Sequence, residues 1–169
     1  MKSARKTSDK FKNIYDEDQK DRKEDLYKKN PELAKEKDAQ RLMEILEAIN
    51  SNQLKTPGDY FYAAMVLQHG GETKYYRLAY KFAKKAAEEG YRRQKGEVDP
   101  LWLAAAAKDR YLMSQGKPQL YGTQFRKDSA DSPWYLYEVD LRITDKERAG
   151  FHVPPLAESE KKVEELNKK

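Results

Sequence analysis

The amino-acid sequence predicts a mainly α-helical single domain with a small β-hairpin near residues 119–139. Apolar residues recur at spacings of three and four over most of the chain before Gly116, which is the period of an α-helix. After Gly116 the pattern changes to short aromatic and β-branched runs. At 169 residues the chain is long enough for one hydrophobic core. We therefore expect a bundle of about five to seven helices in a single domain over residues 1–169, with flexible ends at 1–10 and 160–169.

The first predicted helix covers about residues 8–28 and carries charges within its apolar stripe. Starting from Phe11, steps of three or four residues lead to Asp18 and Arg22. A buried carboxylate needs a partner, so we expect Asp18 and Arg22 to form a structural pair, with Gln19 as further support. Removing the arginine should then destabilise the protein.

Proline, glycine and capping residues mark the other helices. Pro31 opens a second helix that runs to about Ile49, and Thr56 caps a third that ends at His69 before two glycines. The residues of the second helix expected to face the core are Leu33, Leu42, Ile45, Leu46 and Ile49. The remaining predicted helices are about 72–89, 101–115, a short one capped by Thr144 through Arg148, and 156–167.

Two short extended runs follow the fifth helix. They cover Gln119 to Arg126 and Trp134 to Val139, and a polar, turn-rich link separates them. This pattern predicts a small antiparallel hairpin or a pair of extended segments.

Composition excludes several classes of protein. Cysteine is absent and the two histidines, His69 and His152, are far apart, so we expect no metal and no cofactor. No stretch resembles a signal peptide or a membrane span, so we expect a cytoplasmic protein that has no membrane contact, or an exported one whose leader was removed. The 34 basic and 29 acidic residues are interspersed, and a net charge of +5 does not indicate a nucleic-acid partner.

The fourth helix has one basic face. Lys74, Arg77 and Lys81 share a side opposite Phe82 and Ala83. This arrangement is more typical of a solvated face opposite a core face than of an anion-binding surface.

His69 and Asp109 are the candidate catalytic residues. Each lies on an apolar helical face near the end of its helix, where a polar side chain must be paired or must line a cleft. Each also has a structural alternative, namely a hydrogen-bonded core histidine and a core salt bridge to an arginine.

The stretch from Gly116 to Phe125 predicts the wall of a polar site. Its glycine and proline residues turn the chain sharply after the fifth helix, so the next segment should run beside Asp109. Side chains alternate in an extended segment, which places Gln119 and Tyr121 on one side, expected to face a ligand. The expected ligand-binding residues are Gln68, Arg110, Gln119, Tyr121, Thr123 and Gln124. Alternatively, the stretch simply enters a strand through a tight turn.

The order of these motifs resembles a bacterial family classified as a domain of unknown function. The resemblance spans about residues 14–158. Its motifs are Asp18-Gln19-x-x-Arg22, Gln68-His69, Asp109-Arg110, Pro118-Gln119-x-Tyr121-Gly122-Thr123-Gln124 and Pro154-Pro155-Leu156-Ala157-Glu158. The string from Pro118 to Gln124 is the specific part. The resemblance implies that these residues belong to one site, and it implies no particular reaction; the lysine-rich flanks and the 127–133 link depart from it.

Three classes of function fit these residues. The first is a hydrolase or transferase acting on a small polar or anionic substrate, with His69 as acid or base, Asp109 orienting it, and Arg22 or Arg110 holding an anionic group. The second is a module that binds a small molecule or peptide in the same pocket without turnover. The third is a helical protein-interaction or immunity-type protein that uses the basic face. Convergence of His69 and Asp109 at an open cleft would favour the first.

Overall fold

The computed structural model describes the backbone of residues 2–168 and the side chains of residues 9–168. The helices are α1 (Lys2–Lys23), α2 (Leu26–Lys29), α3 (Pro31–Asn50), α4 (Pro57–Leu67), α5 (Thr73–Glu88), α6 (Pro100–Met113), α7 (Asp145–Ala149) and α8 (Leu156–Asn167), and the strands are β1 (Phe125–Arg126) and β2 (Tyr135–Leu136). This is the mainly helical fold with a small hairpin that the sequence predicts.

Helix α4 lies at the centre of the bundle. Every residue from Phe61 to Leu67 is buried, because α4 packs against α1, α3, α5 and α6. Thr56 begins α4 with a reciprocal cap, in which its hydroxyl accepts a hydrogen bond from the Asp59 backbone and the Asp59 carboxylate accepts one from the Thr56 backbone. Small alanines on the buried side of α5 allow its close packing against α4 and α6.

Two features of the first helices differ from the prediction. The expected helix over 8–28 is broken into α1 and α2 at Asp25, whose φ of 57° lies in the left-handed region that aspartate tolerates better than most residues. Leu33 is 39% exposed and does not face the core. The buried stripe of α3 instead contains Ala34, Arg41, Ile45 and Ala48, so Leu33 lies one residue off it.

The segment after α6 is held by a second, smaller apolar cluster. Tyr121 and Val153 are its buried centre together with Ala105 of α6, and Trp102 and Phe151 pack around them. Strands β1 and β2 pair antiparallel, with Phe125 opposite Leu136. Within the described residues, no helix is both apolar and long enough to cross a membrane.

Candidate functional site

Asp109 fixes the loop that follows α6. Its Oδ1 accepts hydrogen bonds from the backbone nitrogens of Leu120 at 2.8 Å and Tyr121 at 3.0 Å. Its Oδ2 accepts from the Thr123 backbone nitrogen at 3.1 Å and hydroxyl at 2.7 Å. Burial raises the pKa of Asp109, and these four hydrogen bonds only partly offset that effect. All the hydrogen bonds that the Asp109 carboxylate accepts therefore come from the loop. Within the described chain it makes no hydrogen bond to His69, the partner expected from the sequence.

Gln119 and Tyr121 point into the protein, which corrects the expectation that they face a ligand. The fully buried Gln119 amide donates to the carbonyl oxygens of Gln124 at 3.1 Å and Tyr137 at 2.8 Å, and it accepts from the Gln124 backbone nitrogen at 2.9 Å. The Tyr121 ring packs on Phe151 at a centroid distance of 4.7 Å, and burial raises the pKa of Tyr121 to about 12. A buried loop has to satisfy its backbone polar groups internally, and Gln119 does this here.

Gln68 is also buried, and the half-buried Thr123 is engaged by Asp109. The Gln68 amide is buried 3.4 Å from the Sδ atom of Met65, and the Thr123 hydroxyl donates to Asp109. Of the six expected ligand-binding residues, Arg110 and Gln124 line the pocket described below.

His69 pairs with a carboxylate from α1. Its Nδ1 lies 3.2 Å from Oδ1 of Asp18, a side chain that is 1% exposed. The Gln19 amide donates to Asp18 Oδ2 at 2.8 Å, and the Arg22 guanidinium lies 3.2 Å from Oδ1. Burial alone would raise the pKa of Asp18, but His69 and Arg22 outweigh it and lower this pKa to about 2. The expected Asp18–Arg22 pair is thus present, and it extends to the candidate catalytic histidine.

The electrostatics around His69 favour its neutral form. Burial lowers the pKa of His69, the Asp18 carboxylate opposes this effect, and the charges of Arg22 and Arg110 add to it. A neutral imidazole whose Nδ1 is held by a carboxylate presents Nε2 as a proton acceptor.

Arg41 of α3 extends the same charge cluster, and the sequence analysis missed it. Its guanidinium contacts Asp21 of α1 and lies 3.1 Å from Asp38, and the Tyr27 hydroxyl donates to Asp38 at 2.7 Å. Arg41 is 4% exposed. Its position four residues before Ile45, on the buried stripe of α3, is the signal that could have identified it.

A pocket of about 820 Å³ opens between the start of α5, the end of α6 and β1. Its side chains include Lys74, Tyr76, Arg110, Gln124 and Arg126. Arg126 follows Gln124 by two residues in an extended segment, so side-chain alternation could have placed both at one site from sequence alone.

Arg110 is the unusual member of this pocket. Its Nε is shielded from solvent, and no described residue accepts a hydrogen bond from it. Burial lowers the pKa of Arg110, and the described residues form no salt bridge with its guanidinium. The remaining guanidinium nitrogens are free to bind an acceptor that enters the pocket.

No group of three or more His, Cys, Asp or Glu side chains is arranged to hold a metal among the described residues.

The fold and these side chains define a small helical protein with a basic pocket beside Arg110 and a histidine–aspartate pair that joins α1 to the end of α4. Comparison with known proteins finds no matching family model, no similar curated protein and no similar solved structure.

Proposed function

We propose that the protein binds a small molecule bearing a phosphate or carboxylate group in the pocket beside Arg110. The observation that carries this proposal is a largely buried guanidinium whose Nε has no acceptor among the described residues. Withdrawing a charged group from water costs free energy unless hydrogen bonds replace the lost hydration. An anionic ligand in the pocket would supply such bonds to the two terminal nitrogens of the guanidinium, since Nε is shielded from solvent, in the bidentate geometry that guanidinium groups favour.

The surroundings of Arg110 also suit an anion. Arg126 is a second cation on the pocket wall, while Lys74 is already paired with Glu72 at 2.9 Å. Thr73 and Lys74 form the first turn of α5, where the helix dipole adds positive potential. The pocket therefore contains two cations that lack a carboxylate partner in the described chain. It also borders the positive end of the α5 helix dipole.

Asp109 makes this pocket a pre-formed one. It directly precedes Arg110 on α6 and holds Thr123, which directly precedes Gln124 on the opposite wall. A ligand would consequently bind without ordering a flexible loop, which reduces the entropic cost of binding.

Titration calorimetry with inorganic phosphate and with succinate tests the proposal. We expect one of these anions to bind the parent protein and to bind Arg110→Met about 10- to 100-fold more weakly, the range for loss of a charge-assisted hydrogen bond. Arg92→Met, which removes an exposed arginine outside the pocket, is the matched control and should bind as the parent does. Equal affinity of the parent and Arg110→Met would refute the proposal.

We also propose that the chain is related to the family of unknown function whose motif order it resembles. Supporting this, residues from separate motifs meet in space: Asp18 contacts His69, and Asp109 holds Thr123. The experimental structure of a family member should show both contacts, and a different partner for the equivalent histidine would count against the relationship.

A further inference from the structure

We propose that the face formed by α3 and α5 is a docking surface for an acidic segment of another polypeptide, one that carries apolar side chains as well as carboxylates. The α3–α5 surface consists of two neighbouring hollows, and residues of both helices line each of them. The proposal is independent of the anion pocket beside Arg110, which lines neither hollow.

The larger hollow offers apolar surface to a partner. It has a volume of about 780 Å³, and its uncharged lining includes Leu46 of α3, Tyr75 and Leu78 of α5, and Tyr111 of α6. All four of these side chains are half-buried, so each still exposes part of its surface to water. Covering that surface with apolar side chains of a partner would favour association.

A smaller hollow of about 420 Å³ continues the surface along α5. Lys81 lines both hollows, and Ile49, Tyr60 and Phe82 line the smaller one. The lining residues of α5 extend from Thr73 to Lys85, a length of about 18 Å at the helical rise of 1.5 Å per residue. A peptide of about five extended residues, or a helix of about three turns, matches that length.

The charged side chains that line the two hollows are all basic. They are Lys74, Arg77, Lys81 and Lys85, and among the described residues no Asp or Glu lines either hollow. Lys74 and Lys85 are paired with glutamates of their own helix region, at 2.9 and 3.0 Å. Arg77 and Lys81 are exposed, and neither forms an ion pair within the described part of the chain. Carboxylates of a partner would be complementary to these two cations.

The opposite edge of the surface is acidic, which favours a polypeptide over a nucleic acid. On the far side of Leu46, Glu44 and Glu47 of α3 line a further hollow with Met43, a side chain that is 70% exposed. A phosphate backbone is charged along its whole length and would be repelled at this edge. A polypeptide can direct its carboxylates toward α5 and its apolar side chains toward α3.

Selection from a random peptide display library tests the proposal without assuming a sequence. We expect the peptides that the parent protein enriches to be acidic and to contain large apolar side chains. Enrichment of basic or uncharged peptides would overturn the proposal, as would the absence of enrichment over an empty support.

A charge reversal on α5 then locates the bound peptide. The most enriched peptide is labelled with a fluorophore, and its Kd is measured by fluorescence anisotropy. Arg77→Glu should weaken binding about 10-fold, because it replaces an attraction by a repulsion. Arg93→Glu makes the same change in charge at an exposed position outside both hollows and should bind as the parent does. Equal Kd values for the two variants would overturn the proposal.

Changes in the ligand test the apolar contribution. Replacing the large apolar residues of the peptide by alanine should weaken binding about 10-fold or more, since each buried methylene group contributes about 0.8 kcal/mol. A polyglutamate of the same length and an oligothymidylate should both bind more weakly than the selected peptide. If either binds as tightly, the surface recognises negative charge alone and the proposal fails. Dimerisation of the protein by itself, seen in sedimentation and abolished by Arg77→Glu, would assign the surface to a second copy and would also overturn the proposal.

Discussion

Two buried carboxylates in this protein have opposite electrostatics. Asp109 is surrounded by neutral N–H and O–H dipoles, and burial raises its pKa despite them. Burial also acts on Asp18, but the neighbouring His69 and Arg22 side chains lower its pKa to about 2. The hydrogen bond from His69 and the charge of Arg22 together outweigh desolvation at Asp18, whereas the neutral donors around Asp109 do not. The same side chain thus anchors a loop in one place and orients a histidine in another.

Asp109→Asn should destabilise the protein by about 1–3 kcal/mol, because the amide nitrogen that replaces one oxygen would face hydrogen-bond donors of the loop. Urea unfolding gives the free energy of unfolding for this comparison. Asp131→Asn, an exposed position in the 127–133 link, is the control and should match the parent. A stability loss of the same size in both variants would show that the loop contacts contribute nothing specific.

Stability should fall as the pH is lowered from 7.5 to 5. Burial lowers the pKa of His69 from 6.5 in the folded state, so the unfolded chain binds the proton first and acid favours unfolding. His69→Gln should flatten this part of the curve, whereas the part due to Asp18, lost between its ordinary pKa of 3.8 and about 2, lies at lower pH. Identical slopes for parent and variant between pH 7.5 and 5 would contradict the assignment.

Among the secondary-structure elements, the helices with strong local signals were predicted well. Thr56 and Thr144 cap helices as expected, because the capping residues and their partners are only three positions apart. The break at Asp25 was not predicted, since no glycine or proline marks it. Local chemistry thus predicts where α4 and α7 begin, whereas α2 begins at a residue held in a rare backbone conformation.

The loop after α6 is confined by α8, and Gly122 is the point of contact. Its φ is 75°, and a Cβ atom added there would lie 3.1 Å from Cδ1 of Leu156. Gly122→Ala should therefore cost more than the roughly 1 kcal/mol that the left-handed backbone alone imposes on alanine.

Gly116→Ala is the matched control for Gly122→Ala. Gly116 has a φ of 69° and no atom within 4 Å of the added Cβ, so this variant should show the backbone cost alone. The two free energies of unfolding, measured in urea, give the contribution of the Leu156 contact by difference. Equal losses in the free energy of unfolding would mean that α8 moves to accommodate the new Cβ atom without further destabilisation.

In the molecule as a whole, two kinds of long-range contact hold the bundle together. Apolar packing around α4 forms the core, while Arg41 and its carboxylate partners connect α3 to α1. The composition and periodicity of the chain predict the first kind. The second depends on how helices that are distant in sequence pack, which is why the Asp18–His69 contact was missed and Asp109 was expected in its place.

Arg41→Met should lower the free energy of unfolding by about 1–3 kcal/mol, because Asp21 and Asp38 lose their buried cation and keep only the more exposed Lys37 and Arg22 as partners. Lys37→Met is the control on the same helix: Lys37 also pairs with Asp21, at 3.0 Å, but it is 42% exposed. We expect that variant to lose less than about 1 kcal/mol. Comparable losses, measured by urea unfolding, would mean that burial of the arginine adds nothing.

The hydrogen bonds between Asp109 and the loop also make it possible to follow opening of the site by hydrogen exchange. The amide protons of Leu120, Tyr121 and Thr123 are all donated to one carboxylate inside the protein. Each can exchange with deuterium only when the loop leaves that carboxylate, so their exchange should be slow and the three amides should share a common protection factor. Because Arg110 and Gln124 each adjoin a residue of this assembly, that protection factor measures the free energy of opening the pocket.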